Sequence, residues 1–354
     1  MTSDWLNISA KALDENCRQQ ALQHQAMLTK PPGALGVLED LAVQLAAMQG
    51  NIHPQLQQLH IIVFAADHGI AEEGVSAFPQ SVTVEMIRNF SHGGAAISVL
   101  AREHGATLKV INMGTVTTPE PLEGVTDISI GRGTANFLQQ PAMDSRQLSA
   151  ALNAGKQATE HAHQEQAEIV IAGDMGIGNT TSATALACAL LKLPAERLTG
   201  PGTGLDQSGV NHKIEIIDRA LAYHHDHLDQ PMEVLRRLGG FEIAGMVGCY
   251  IACAQMGIPA LVDGFIASSA ALVAVRIQPS VIDWLIFAHA SAEPGHAQIM
   301  QALQAKPVLD LGMRLGEGSG AAIAMPLLRT ACLLHNNMAT FAQAHVSEKN
   351  DSQK

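Results

Sequence analysis

The stretch EIVIAGDMGIGNTTSATALACALL (residues 168–191) decides the fold. Its first six residues are mostly apolar and lack the polar alternation of a half-buried strand, so they predict a strand buried on both faces. Gly173, Gly176 and Gly178 follow, and a helix-forming run begins at Asn179. A strand that passes through glycines into a helix is the building unit of parallel α/β sheets.

Similar apolar runs recur along the chain. With 168–173 they are 61–66, 108–113, 258–264 and 284–289. The longest helical patterns between or after these runs cover 145–165, 208–227 and 241–256. Strands that alternate with helices predict crossover connections and therefore a doubly wound, Rossmann-like parallel sheet.

Both ends of the chain have a different pattern. Residues 9–28 and 35–49 read as helices joined by the rigid turn TKPPGALG, and the chain looks helical again after about residue 290. We therefore predict a small all-helical domain built from both termini, 1–55 plus 295–354, and an α/β parallel-sheet domain over 56–294.

Composition excludes several classes of protein. The formal net charge of −12 makes nucleic acid or an anionic membrane a poor partner. The first 25 residues show no signal-peptide pattern, and no charge-free apolar stretch reaches the length of a membrane span. The five cysteines are widely spread with no CxxC pair, which predicts neither a disulfide framework nor a zinc site and favours a cytoplasmic protein.

The ligand site is expected beyond the carboxyl ends of the strands. There, the loop 173–178 exposes backbone N–H groups at a helix start, which is typical of an anion site; the alternative is a tight turn capped by Asn179 or Thr180. A second glycine-rich loop, GPGTGLDQSGVNHK (200–213), ends at Lys213. Two glycine loops and one lysine suit a single phosphate better than an ATP tail, although a flexible loop would read the same way.

Other strand ends also carry polar residues. Asp67 and His68 follow the first strand, as ligand contacts or as part of a solvated connection. Asp263 follows the fourth, as a ligand contact or as the N-cap of a helix starting at Phe265. SAEPGH (291–296) is a polar loop after the fifth. HHDH (224–227) reads as a solvated helix end, and no motif calls for a metal or cofactor.

One carboxylate, Glu317, lies among the glycines of MRLGEGSGAA (313–322). From spacing alone it either complements a helix dipole or performs chemistry, and these two readings have equal weight.

Five stretches together resemble the nicotinate-nucleotide:dimethylbenzimidazole phosphoribosyltransferase family, which serves cobalamin nucleotide-loop assembly. They occur in the family's order and span nearly the whole chain. They are LTKPPGALG (28–36), ADHGIAEEGVSAFPQSVT (65–83), GDMGIGNTTSATA (173–185), GPGTGLD (200–206) and MRLGEGSGAA (313–322). The resemblance implies a homodimer that turns nicotinate mononucleotide and 5,6-dimethylbenzimidazole into α-ribazole 5′-phosphate and nicotinate.

The resemblance also implies roles for residues. Glu317 corresponds to the family's catalytic base, and Asp174 is a possible auxiliary group where the family usually has Glu. Pro201 stands where Arg is common, which removes one phosphate contact. The implied phosphate and nucleotide site comprises Gly176, Gly178, Asn179, Thr180, Gly202, Thr203, Gly204 and Lys213. The implied base pocket comprises Asp67, His68, Phe78, Pro79, Met86, Met175, Leu315 and Asp263.

The chemistry fits a single carboxylate. Nicotinate leaves as a neutral pyridine and needs no general acid, so one base suffices to take the N–H proton of the incoming azole. Two effects compete on the pKa of Glu317, because a following helix N-terminus lowers it and an apolar pocket raises it. The alternatives are an NAD-dependent dehydrogenase, whose ribose-binding acid would be Glu196, and a non-catalytic azole- or nucleotide-binding protein.

Overall fold

A six-stranded, fully parallel sheet forms the centre of the chain, of which a computed structural model describes residues 4–347. The strands are β1 Leu59–Ala66, β2 Thr107–Gly114, β3 Val125–Asp127, β4 Ile169–Met175, β5 Ala260–Val262 and β6 Leu285–Phe287. Their order across the sheet is β3-β2-β1-β4-β5-β6. This is the doubly wound, Rossmann-like order, and its direction reverses between β1 and β4. The predicted fold class is confirmed.

All five apolar runs contain a strand, because each run is buried on both faces of the sheet. Two of the strands, β5 and β6, are three residues long and shorter than predicted. The edge strand β3 was not predicted. It pairs only with β2 among the described strands, and its partly exposed sequence VTD lacks the apolar signal used to find the others.

Thirteen α-helices are described within residues 4–347. They are α1 Glu15–Met27, α2 Val37–Gln49, α3 Ser81–Ser91, α4 Ala96–His104, α5 Ser145–Gln164, α6 Asn179–Leu191, α7 Gln207–His224, α8 Pro231–Leu238, α9 Phe241–Met256, α10 Phe265–Ile277, α11 Pro294–Leu303, α12 Ser319–Asn337 and α13 Phe341–Ala344. Helix α9 is buried almost throughout because it packs on β1, β2 and β4 and is covered by α5. Gly155 and Gly248 let α5 and α9 approach closely, since an added Cβ would meet the other helix's backbone.

The chain divides into two compact units. The first contains the residues up to Lys11 and Gln58–Ile323, and the second contains Ala12–Gln57 and the residues from Ala324 onward. The residues up to Lys11 and residues 295–323 were predicted to belong to the helical domain, but they belong to the unit that contains the sheet. The indole N–H of Trp284 donates to the Lys11 carbonyl, and α11 packs on α10, so both segments belong to the sheet unit.

The second unit is helical in its described part and has its own polar contacts. The Lys30 ammonium pairs with the Glu39 carboxylate at 2.8 Å, and the side chain of Gln25 hydrogen-bonds the ring of His335. No described helix in either unit has the length and apolarity needed to cross a membrane.

Candidate active site

A cavity of about 420 Å³ lies at the carboxyl ends of β4, β5 and β6, within the sheet unit. Its location follows from the topology, because loops after parallel strands meet beside the point where the strand order reverses. One group of lining residues is apolar: Phe78, Val82, Met86, Met175, Ile177, Phe265, Ile266 and Leu315. The other group is polar or charged: Asp174, Asn179, Thr180, Thr203, Asp263, His289, Ser291, Glu293, Arg314 and Glu317.

The glycine loop after β4 delivers a helix N-terminus to the cavity. Helix α6 begins at Asn179, and its N-cap is Gly178 in the left-handed conformation (φ 96°), not Asn179 or Thr180. The Thr180 hydroxyl accepts a 2.7 Å hydrogen bond from the Lys213 ammonium on α7. Lys213 is fully buried, and this burial lowers its pKa to about 8. A helix N-terminus beside a buried lysine is an arrangement typical of anion sites, and we call it the anion-binding corner.

The second glycine loop lies against this corner. An added Cβ at Gly202 would be 2.8 Å from the Thr180 hydroxyl and 3.3 Å from the Lys213 ammonium, so the close approach requires glycine there. The backbone φ of 53° at Gly202 also favours glycine. The Arg314 guanidinium donates a 2.8 Å hydrogen bond to the Gly202 carbonyl and adds a second cation to the cavity wall.

Glu317 is held by a strained, closely packed backbone. It adopts a left-handed φ of 65° between Gly316 (88°) and Gly318 (86°), a conformation that non-glycine residues rarely adopt. Its N–H donates to the Asp174 carbonyl at 3.2 Å. Its own carbonyl lies against Gly173, where any side chain would overlap with it. Such over-determined strain is common where a side chain must be aimed at a ligand.

The Glu317 carboxylate is 6% exposed and lines the cavity. Its Oε2 accepts a 3.2 Å hydrogen bond from the backbone N–H of Ile97 in the first turn of α4. Burial raises the pKa of Glu317, the Ile97 N–H lowers it, and the negative charge of Asp263 raises it further, so the net change is upward. Burial therefore outweighs the dipole effect, and the helix that stabilises the carboxylate is α4 and not the following helix α12.

Asp174 lies at the end of β4 and, like Glu317, is 6% exposed. Burial, with the charges of Asp263, Glu242 and Glu317, raises its pKa well above the ordinary value, against a lowering by the Asn179 amide. The Asn179 side chain donates to Asp174 Oδ2 at 2.9 Å. Two neighbouring carboxyls whose surroundings raise their pKa values by different amounts are an arrangement from which enzymes obtain different protonation states.

Asp263 at the end of β5 does not cap the helix starting at Phe265, since Gly264 is the N-cap of α10. Its Oδ1 instead accepts the N–H of Ala321 at 2.8 Å, in the first turn of α12. Gly320 allows this contact, because an added Cβ would collide with the His289 ring and lie 2.9 Å from Asp263 Oδ1. One carboxylate thus fastens the helix after Glu317 to the sheet.

The cavity brings together most of the predicted site residues: Asp174, Met175, Gly176, Asn179, Thr180, Gly202, Thr203, Asp263, Leu315, Glu317, Phe78 and Met86. Lys213 reaches it through Thr180. Gly178, Gly204 and Pro79 are not among the lining residues. Asp67 and His68 lie in the protein interior, where Asp67 accepts the Val116 N–H and His68 pairs with Glu242 at 2.6 Å.

The cavity also contains residues to which sequence reasoning gave no role. Glu293 lies in the segment predicted only as a polar loop, Arg314 lies in the stretch that bears Glu317, and His289 follows a three-residue strand. The polar SAEPGH segment was the available signal for Ser291 and Glu293. His224 of the HHDH segment is buried and hydrogen-bonds the Phe137 carbonyl, whereas His225–His227 are exposed. Residues 4–347 contain no cluster of three or more side chains placed to hold a metal.

A Rossmann-like sheet, an anion-binding corner and a buried carboxylate facing an apolar wall define an α/β transferase that acts on a phosphorylated substrate. A phosphoribosyltransferase family model matches residues 10–346. The chain belongs to the nicotinate-nucleotide–dimethylbenzimidazole phosphoribosyltransferase family and is a pentosyltransferase. The dehydrogenase alternative has no support, since Glu196 lies in a 3-10 turn and not at a strand end.

Relatives named nicotinate-nucleotide–dimethylbenzimidazole phosphoribosyltransferase match over the full length. The protein of Pseudomonas aeruginosa UCBPP-PA14 is 56% identical over 349 residues, which are 99% of each chain. That of Azotobacter vinelandii is 56% identical over 352 residues, covering 98% of this chain and 99% of the relative. The crystal structure of the Thermus thermophilus enzyme superimposes with a TM-score of 0.90 at 42% identity, covering 95% of this chain and all of the other.

Proposed function

We propose that this chain transfers the 5-phosphoribosyl group of nicotinate mononucleotide to 5,6-dimethylbenzimidazole or a related azole. The products are α-ribazole 5′-phosphate and nicotinate, with inversion at C1 of the ribose. The observation that carries the proposal is one cavity that combines an anion-binding corner, an apolar wall and a carboxylate with a raised pKa. The relatives' names supply the two substrates.

The phosphate of the nucleotide binds at the corner formed by the Thr180 hydroxyl, the Lys213 ammonium and the N-terminus of α6. Lys213 and Arg314 provide positive charge, and backbone N–H groups provide further donors. The Arg314 guanidinium reaches the Gly202 carbonyl from another segment and so places a cation beside the second glycine loop, in which Pro201 stands where the resemblance implies Arg.

The flat azole binds against the apolar wall. Phe78 and Leu315 are 51% and 59% exposed in the described structure, which leaves large apolar surfaces for an aromatic ring to cover. Met86 and Met175 line the same cavity, and methionine adapts its shape to a planar ligand.

Glu317 acts as the general base. Attack of the azole nitrogen on C1 breaks the bond to nicotinate, which takes the bonding electrons and becomes a neutral pyridine. The azole then carries the excess proton, and Glu317 accepts it. A raised pKa suits this step because a general base works best with a pKa near the working pH. Burial and the neighbouring carboxylates raise the pKa of Asp174 well above its usual range, and its side chain accepts the Asn179 amide and so orients the loop.

We also propose a cytoplasmic homodimer. Among the described cysteines no disulfide forms, which suits a reducing compartment. Sedimentation of the purified chain tests the homodimer.

Incubating the purified chain with nicotinate mononucleotide and dimethylbenzimidazole, and identifying the products by chromatography, tests the reaction. Stoichiometric nicotinate and α-ribazole 5′-phosphate are expected. Azole binding without nicotinate release would instead favour the non-catalytic binding protein.

A further inference from the structure

Glu293 is a buried carboxylate at the phosphate end of the cavity. It is 5% exposed and lines the cavity, and neither of its carboxyl oxygens has a hydrogen-bond partner within residues 4–347. Burying an ionised carboxylate without a partner costs free energy unless the group takes up a proton or a ligand supplies the missing hydrogen bonds. The mechanism above leaves this group without a role.

The surrounding loops keep the carboxylate in place. An added Cβ at Gly200 would overlap with Glu293 Oε2 and approach the Pro294 ring, so glycine at 200 leaves room for the carboxylate beside the second glycine loop. The Glu293 N–H donates to the Ser291 hydroxyl at 3.3 Å, which fixes the start of the segment.

Three groups near Glu293 lower its pKa: the Lys213 ammonium on α7, the Arg314 guanidinium and the N–H of Gly202, which lies close to the carboxylate without meeting hydrogen-bond geometry. Burial raises the pKa by more, so the net change is upward. Two cations and one carboxyl thus share the corner to which we assign the phosphate.

A bound phosphate dianion would change this balance. It would neutralise the attraction that Lys213 and Arg314 exert on the ionised carboxylate, and it would place a like charge beside it. Both effects favour the neutral carboxyl. A carboxyl group next to a phosphate dianion can moreover form a hydrogen bond with it only when protonated, because the dianion has no proton to donate.

We propose that Glu293 takes up one proton from solvent when a phosphate group binds, and that the neutral carboxyl then donates a hydrogen bond to a phosphate oxygen. This rests on the proposed function through the assignment of the phosphate corner. The step is a protonation only: the Glu293 carboxylate gains one proton, solvent loses one, and no other bond is formed or broken. Phosphate affinity should therefore fall as pH rises.

Inorganic sulfate is the suitable probe, because it remains a dianion near neutral pH and does not itself take up or release the proton. Lys213 has a pKa of about 8 and stays charged between about pH 6 and pH 7, so uptake in this window comes from elsewhere. Titration calorimetry in buffers with different heats of ionisation measures the number of protons taken up per sulfate bound.

The full chain is compared with Glu293→Gln and with Glu215→Gln, an exposed acid on α7, the helix of Lys213. For the unchanged chain and Glu215→Gln we expect proton uptake and a sulfate Kd that rises by up to about tenfold per pH unit. For Glu293→Gln we expect a Kd that stays flat over the same window, because the amide does not titrate.

Equal proton uptake by Glu293→Gln and the unchanged chain would overturn the proposal. So would an unchanged chain that binds sulfate without taking up a proton, a result that does not depend on how the variant folds. If sulfate did not bind, or did not compete with nicotinate mononucleotide, the assignment of the phosphate site to this corner would be wrong and the proposal would fail with it. The chromatographic assay reports separately on the transfer reaction, so the two can fail independently.

Discussion

The backbone N–H of Glu317 donates a 3.2 Å hydrogen bond to the backbone carbonyl of Asp174, at the end of β4. The loop bearing the proposed base is thus fastened to the strand that leads into the anion-binding loop. Gly173 makes the contact possible, because its missing side chain admits the Glu317 carbonyl. The end of β4 therefore positions both the proposed base and the phosphate corner.

Replacing the proposed base by its amide should stop the reaction. Glu317→Gln keeps the size of the side chain but cannot accept the azole proton, so kcat should fall by about 10²–10⁴-fold while nicotinate mononucleotide still binds. Steady-state kinetics and calorimetry measure the two quantities. Glu103→Gln, an exposed acid on the helix that donates to Glu317, is the matched control. Turnover near that of the unchanged chain would exclude Glu317 as the base.

The pH profile should report the raised pKa of Glu317. The base works only when ionised, so kcat should decline as pH falls through this pKa. The negative charge of Asp263 raises the pKa of Glu317, and Asp263→Asn should shift the acid limb to lower pH. The Asn oxygen can still accept the Ala321 N–H. The control Asp310→Asn, at an exposed position, should leave the acid limb of the kcat profile unchanged. An acid limb that does not move in Asp263→Asn would contradict the assignment of that limb to Glu317.

Removal of the buried ammonium should weaken nucleotide binding. Lys213→Ala should mainly raise the KM for nicotinate mononucleotide, and Lys213→Met tests the charge with less loss of volume. Losing a hydrogen bond to a charged group costs about 1.5–3 kcal/mol, which predicts a rise of about 10- to 150-fold. The exposed Lys306→Met is the control. An unchanged KM would remove Lys213 from the phosphate site.

A methyl group at Gly173 should displace the base without touching a substrate. Gly173→Ala places a Cβ against the Glu317 backbone, and a shift of about 1 Å can cost about 10²-fold in rate. At Gly209 the nearest obstacle is the Leu205 side chain at 3.0 Å, so Gly209→Ala is the milder glycine control. Circular dichroism establishes that both variants fold. Full activity in Gly173→Ala would contradict the prediction, because it would show that the loop bearing Glu317 tolerates the shift.

The strands that carry this site were predictable from sequence because a parallel sheet buried on both faces requires continuous apolar runs. The edge strand β3 lies outside that rule, since its residues are partly exposed. The glycine loop after β4 was also predictable as a strand-to-helix junction, because strand, glycines and helix start are adjacent in the chain; its use as an anion site stays a prediction.

Contacts between distant segments were not predictable in this way. Asp263 was interpreted as a ligand contact or as the cap of the next helix, and the structure shows it accepting an N–H in the first turn of α12, 58 residues further on. The Glu317 carboxylate meets the N-terminus of α4, 220 residues earlier in the chain. Arg314 and Glu293 were given no role in the sequence analysis, because only the folded chain brings both to the wall of one cavity.

The order of the strands has a consequence during synthesis. Every described strand is complete by Phe287, and both glycine loops precede it, but the proposed base is residue 317. A ribosome that stalled between these points would release a chain containing both glycine loops and Lys213 but lacking the proton acceptor. Such a fragment, if it folded, would lack the group needed to complete the transfer. The late position of Glu317 thus links catalytic competence to near-complete translation.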